Sequence, residues 1–269
     1  MKWGSPVLVA CSAPALAFFF AFWLIPAGVL LVLPAKAGIS TYFSTFTDTL
    51  YLNILWQTLV LSLGVTVVTL AIGALTGVAL ARVRFPGRGL LLSLLTLPLS
   101  FAGVIVGFYV ILIGGRQGVL AQITNSLFGE RISFAYGFVG LFLGYLYFSL
   151  PRAISAYTAA AEAMDGQVEE AARSLGASGW AVMRDLWWPQ LLPTTMACGS
   201  IVFATAVGAF GTAFTLSSNF EVLPITIYNE FTNYANFALA AALSITLGLI
   251  TWLVLWSARK LAGPNAAGI

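Results

Sequence analysis

Glu170-Ala171-Ala172-Arg173-Ser174-Leu175-Gly176 and, after nine further residues, Leu186-Trp187-Trp188-Pro189 form a short polar passage between two long apolar stretches. Around it, Ala161, Met164, Val168, Ala171, Ala172 and Leu175 recur at helical spacing as one apolar stripe, while Glu162, Asp165, Glu169, Glu170 and Arg173 fall elsewhere. Asp165 suits an N-cap and Gly176 the left-handed position that stops a helix. Ser178 then caps a second short helix reaching Trp187, and Pro189 opens the next apolar run where its missing N–H costs nothing. Trp180, Trp187 and Trp188 suit a membrane interface. Ala171, Ala172 and Gly176 make a face without bulk, which another protein can approach closely. A helix lying on lipid would use Leu, Phe and Trp on one side and Lys on the other. Here five acids (Glu162, Asp165, Glu169, Glu170, Asp185) outnumber two bases (Arg173, Arg184), so the passage reads as a docking element.

The rest of the chain is built for lipid. Of 269 residues, 60% are hydrophobic and 8% charged, with a mean hydropathy of +0.96; soluble domains carry about 25% charged residues. The net charge of +3 is a matter of distribution across a bilayer and gives no indication of nucleic-acid binding. There is no histidine, and Cys11 and Cys198 stand far apart in apolar runs, so no metal site and no Cys/His nucleophile pair is expected. No glycine-rich phosphate loop ending in Lys and Ser/Thr occurs, so the chain does not itself hydrolyse ATP. A membrane enzyme or an ion-coupled secondary carrier would need histidines or intramembrane acids, and the apolar runs hold neither.

Spanning ~30 Å of hydrocarbon takes ~20 apolar residues, and six stretches qualify: about 8–34, 53–81, 89–113, 134–157, 190–216 and 235–258. The first is longer than the 7–15-residue core of a secretory signal and is read as a retained helix. With both termini inside, Lys2, Arg82, Arg84, Arg88, Arg152, Arg173, Arg184, Arg259 and Lys260 lie on the inner side, against Lys36, Arg116 and Arg131 outside. This positive-inside bias places both ends and segment 158–189 in the cytoplasm. The outer segments carry Asp48, Glu130, Glu221 and Glu230 among Asn, Thr and aromatic residues. Gly73/Gly77, Gly103/Gly107 and Gly140/Gly144 have the spacing that lets membrane helices approach closely, Ala204, Gly208 and Gly211 add to the fifth span, and Pro98 and Pro151 should bend their helices.

The passage resembles the "EAA" signature of permease subunits of binding-protein-dependent ABC importers: Glu-Ala-Ala, three residues, Gly, nine residues, an apolar residue, any residue, and Leu-Pro. Glu170, Ala171, Ala172, Gly176, Leu186 and Pro189 match, with Trp188 where Leu is usual. The resemblance covers about 55–260, with the passage between the fourth and fifth spans. It implies an all-α integral membrane protein with the six-helix type I importer permease fold, as one transmembrane domain over 1–269. The passage would be its cytoplasmic coupling helix, with Glu170, Ala171, Ala172, Arg173, Leu175 and Gly176 meeting an ATPase subunit. It also implies a bacterial cytoplasmic-membrane location, a second permease subunit (identical or homologous), two ATPase subunits holding ATP and Mg, and an external solute-binding protein. No cofactor and no catalytic residue would belong to this chain.

The stretches 97–101, 145–151 and 210–214 look like the spermidine/putrescine-type branch, whose relatives also handle phosphonates, opines and ferric iron; sulfate is a further alternative within the same importer class. For a polyamine, Tyr109, Tyr145, Tyr147 and Phe210 would supply aromatic faces to a cation. Arg152 points the other way, toward an anionic or zwitterionic solute if it lies in the path, or toward simple snorkelling if it lies at the inner interface.

Overall fold

A computed structural model describes residues 6–83 and 85–262. Lys2, Arg84 and both chain ends lie outside these, as do the side chains of Cys11 and Arg259. The described chain is helical: α1 (Pro6–Phe19), α2 (Ile25–Ala37), α3 (Ser44–Thr47), α4 (Thr49–Arg82), α5 (Arg88–Thr96), α6 (Gly103–Gly114) and α7 (Val119–Phe128) come first. Next in the chain are α8 (Phe138–Glu162), α9 (Gly166–Ser174), α10 (Gly179–Val182), α11 (Trp188–Val207), α12 (Phe210–Leu216), α13 (Leu223–Thr232) and α14 (Phe237–Ala262). Six helical stretches among the described residues are long and apolar enough to cross a membrane: Ser12–Ala37, Thr49–Arg82, Gly103–Phe128 (interrupted at 115–118), Phe138–Glu162, Gly179–Val207 and Phe237–Ala258.

Contacts divide the chain into two compact units, Met1–Asn53 with Thr226–Gly248, and Ile54–Ile225 with Leu249–Ile269. In the first, Thr45 and Thr246 hydroxyls meet at 3.3 Å, and the Tyr51 hydroxyl donates to Glu230 at 2.9 Å. Glu230 is buried within α13, where the phenol gives its carboxylate a partner. The helical stretch Ser12–Ala37 leaves its aromatic residues outward, with Phe18 stacked on Phe22 and Phe19 on Trp23.

In the second unit the glycine pairs act as the spacing suggests. A Cβ on Gly73 would lie 2.6 Å from Ala153 Cβ, and one on Gly77 would lie 2.7 Å from Tyr157 Cβ and 2.8 Å from the Ile154 carbonyl oxygen. Thr158 seals this approach by donating to the Gly77 carbonyl at 3.2 Å. Gly103 and Gly107 of α6 similarly admit Thr212 and Thr215 of α12. Leu61, Val65, Leu141, Tyr145, Ala206, Leu216 and Val222 fill the core.

Several expectations need correction. The third span is not 89–113 with a bend at Pro98: the short helix α5 ends there in a 3₁₀ turn at Leu97–Ser100, Phe101 is extended, and the third membrane-length stretch starts afresh at Gly103 with α6. A proline N has no proton for the helix ladder. The fifth span breaks at Gly208–Ala209, where the Tyr145 hydroxyl donates to the Ala209 carbonyl at 2.9 Å and replaces the lost backbone partner. Pro189 does not open a new helix, because α10 runs into α11 through a π turn at Met183–Trp187 whose Trp188 N–H reaches back to the Met183 carbonyl. The same device precedes Pro26, where Ile25 N–H bonds the Phe20 carbonyl. A five-residue ring ahead of the proline lets the helix continue past it. At Pro151, by contrast, α8 remains helical on both sides. Two of the polar segments between the expected spans are themselves helical: α13 forms in one, and α7 in another belongs to the third membrane-length stretch.

Substituting Gly77 with valine is expected to cost about 1–3 kcal/mol by overpacking, read as a lower thermal transition of the detergent-purified protein. Gly28→Val, at a position with no neighbour within 4 Å, should leave the transition in place.

Candidate functional site

Helix α9 forms for local reasons. The Asp165 carboxylate accepts from the Gln167 N–H at 2.9 Å, which caps the first turn. At the other end Gly176 has φ +88°, and two bonds close the helix: Gly176 N–H to the Arg173 carbonyl and Ala177 N–H to the Ala172 carbonyl. Ser178 caps α10, its hydroxyl accepting from the Ala181 N–H at 3.2 Å. Both capping expectations therefore hold.

The apolar stripe is only partly covered by its own chain: Ala161 is buried and Met164 and Ala172 are half-buried, but the rest is bare. Leu175 is 89% exposed, Val168 48%, and Ala171 also faces outward. So do Trp180 and Trp188. A helix of nine residues cannot stand alone in water, so something must hold α9 while its stripe stays free. That role falls to Glu169, the neighbour of the signature glutamate. Its carboxylate meets Arg82 at the end of α4 at 3.1 Å and Arg173 one turn on at 2.9 Å, with only 15% of the side chain exposed. The Arg82 guanidinium also lies over the Trp187 ring, 4.6 Å from its centre. Beside this knot, Arg88 donates to the Leu80 carbonyl at 2.7 Å and pairs with Glu162 at the end of α8. Helices α4, α5, α8 and α9 and the π turn are thus joined through Arg82, Arg88, Glu162, Glu169 and Trp187.

Glu170 is exposed, and among the described residues it makes no ion pair or side-chain hydrogen bond. From the sequence, Arg82 and Arg88 read only as markers of sidedness, and Glu169 as a polar-face residue without a partner. A signal was available: three arginines within 82–88 and an acid-rich helix start at 162–170 are the only opposite-charge clusters of their kind in the chain.

The five path candidates do not converge. Tyr109 and Tyr147 line one hollow of about 550 Å³ with Phe134, Leu146 and Leu150, otherwise apolar. Tyr145 is 4% exposed and its hydroxyl is committed to Ala209, so it presents no ring face to a solute. Phe210 packs against Phe214 with ring centres 5.5 Å apart. Arg152 lies on a different side of α8 from Tyr147, five residues and so about 140° away. No cluster of metal-ligating side chains occurs among the described residues.

An exposed, capped, charge-pinned helix between two membrane-crossing helices sits inside a matched region: residues 69–262 fit the family described as binding-protein-dependent transport system inner membrane component. The chain belongs to that family. This permease is 33% identical over 216 residues to the molybdenum transport system permease protein ModB of Escherichia coli K12, covering 76% of the chain and 93% of ModB. It is 29% identical to sulfate permease 2 of Chlamydomonas reinhardtii, covering 99% of the chain and 71% of that protein. It is also 29% identical to the thiamine transport permease ThiP of Brucella suis, across 90% of the chain and 45% of ThiP. Among solved structures, a chain of a bacterial alginate ABC transporter, crystallised with an alginate-bound periplasmic protein, superposes with a TM-score of 0.83 at 18% identity over 97% of the permease and 95% of that chain. At that identity the likeness concerns the fold: the six-span importer permease architecture expected from the sequence is the one observed.

Removing the Glu169 carboxylate (Glu169→Ala) is expected to cost α9 about 1–2 kcal/mol, between exposed and buried ion pairs. Hydrogen exchange of amides in 166–176 should then quicken about tenfold or more, whereas Glu170→Ala should leave it unchanged.

Proposed function

We propose that this permease forms half of the translocation path of an ATP-driven importer and that α9 is the element its ATPase partner grips. The observation that carries the reading is the outward Leu175 stripe on a helix fastened at its other side by Glu169. In this reading both termini and α9 are cytoplasmic, in line with the arginine excess at that end. A second permease subunit completes the path, two ATPase subunits supply ATP hydrolysis, and an external binding protein delivers the solute. Closure of the ATPases pulls the two coupling helices together, and the Glu169–Arg82 and Arg88–Glu162 pairs pass that motion to α4 and α8 as rigid bodies. The family makes this a transport subunit, and no chemical step is assigned to it.

For the solute we favour a small tetrahedral oxyanion of the molybdate or sulfate kind over a polyamine. Molybdenum and sulfate permeases are among the relatives similar over most of their length. The described middle portions of the spans carry no acid, and Tyr145, one of the aromatic faces a polyamine would need, is buried. Thiamine is the second reading, favoured by the ThiP likeness.

Leu175→Asp should reduce co-purification of the ATPase at least tenfold, and Gly176→Trp should abolish binding-protein-stimulated ATPase activity, with the permease itself still folded; wild-type behaviour of both would remove the coupling role. In proteoliposomes of the whole complex with its binding protein, uptake of labelled molybdate or sulfate is expected, and uptake of thiamine or spermidine alone would overturn the oxyanion reading.

A further inference from the structure

The sequence leaves the depth of Arg152 open, and the structure places it along α8. Ten residues separate it from Glu162, the end-of-helix acid clasped by Arg88; at 1.5 Å per residue this is about 15 Å, farther than an arginine side chain reaches. Fourteen residues, about 21 Å, separate it from Phe138 at the other end. Arg152 therefore lies in the middle of a membrane-crossing helix and cannot snorkel to the level of Glu162. It is partly buried, and among the described residues it has no ion pair and no hydrogen bond. Ionisable side chains at such depth face an aqueous path or a partner and are rarely left without one.

Its surroundings on α8 are not those of a lipid-facing surface. Where α4 and α14 are exposed they carry Val60, Leu63, Val67 and Leu75, or Leu249, Trp252 and Leu253. On α8 the exposed residues within about 80° of Arg152, toward Glu162, are Ser155 and Ala159. A small, partly polar strip therefore runs along α8 to a lone guanidinium.

We infer that Arg152 is the cation that holds the translocating oxyanion midway through the permease; this rests on the oxyanion reading of the solute. The planar guanidinium offers two parallel N–H donors to two oxygens of a tetrahedral dianion. A single such contact is suited to a path, since a solute must be held strongly enough to enter and weakly enough to leave.

The test uses the complete importer with its binding protein in proteoliposomes, with molybdate and sulfate as probes. Arg152→Gln should lower uptake of the transported oxyanion at least tenfold, while binding-protein-stimulated ATPase activity stays within about twofold of wild type. Arg152→Lys, which keeps the charge but not the fork, should lose about threefold. Should the glutamine variant not assemble, the lysine variant carries the test, and an unchanged uptake rate in it overturns the inference. Uptake by Arg152→Gln equal to wild type, or an equal loss of uptake and stimulated ATPase, also overturns it. If the wild-type complex moves neither probe, the oxyanion reading itself falls and this assignment falls with it.

Discussion

One carboxylate holds the exposed end of this permease in shape. Glu169 is shared between Arg82, at the end of a helix 34 residues long, and Arg173 on its own helix. Both arginines are then engaged on one side of α9, so the opposite side can remain bare without the helix coming loose. A nine-residue helix has little intrinsic stability, and its exposed Val168 and Ala171 add little to it. The Asp165 cap and the glycine stop fix where the helix begins and ends, but they do not orient it. Orientation comes from the ion pairs, and the stacking of Arg82 on Trp187 extends the same fastening to the next helix.

The membrane part obeys a second constraint, that backbone polar groups in hydrocarbon need partners inside the protein. The two broken spans meet it with side chains. Thr212 of α12 donates to the Gly103 carbonyl at 3.0 Å, and Tyr145 covers Ala209. Gly103, Gly107 and Gly211 bring the broken ends near enough for these bonds to form. The breaks and the small residues therefore belong to one arrangement.

Much of this was legible from the residues alone. The number of spans, the close approach at Gly73 and Gly77, the caps at Asp165 and Ser178, and the stop at Gly176 all depend on local chemistry that one residue type announces. What escaped reading depends on neighbours distant in sequence. Glu169 and Glu170 look alike until Arg82, 87 residues before the first of them, is seen to meet only one. Tyr145 and Tyr147 look equally suited to a path until the turn of α8 sends one into the core and the other outward. The prolines illustrate the same limit. Pro98 ends its helix, Pro151 is absorbed within α8, and Pro189 comes after a π turn, because the outcome rests on which carbonyl is orphaned and what can replace its partner.

The π turn at Met183–Trp187 changes the rotational register of its helix. In an ordinary α-helix every carbonyl is tied to the N–H four residues on. Between Gly179 and Val207 the Trp188 N–H instead reaches five residues back to Met183, so one extra residue is fitted into the ladder there. The faces that the helix shows beyond Pro189 are therefore turned relative to those that an unbroken α-helix starting at Gly179 would present.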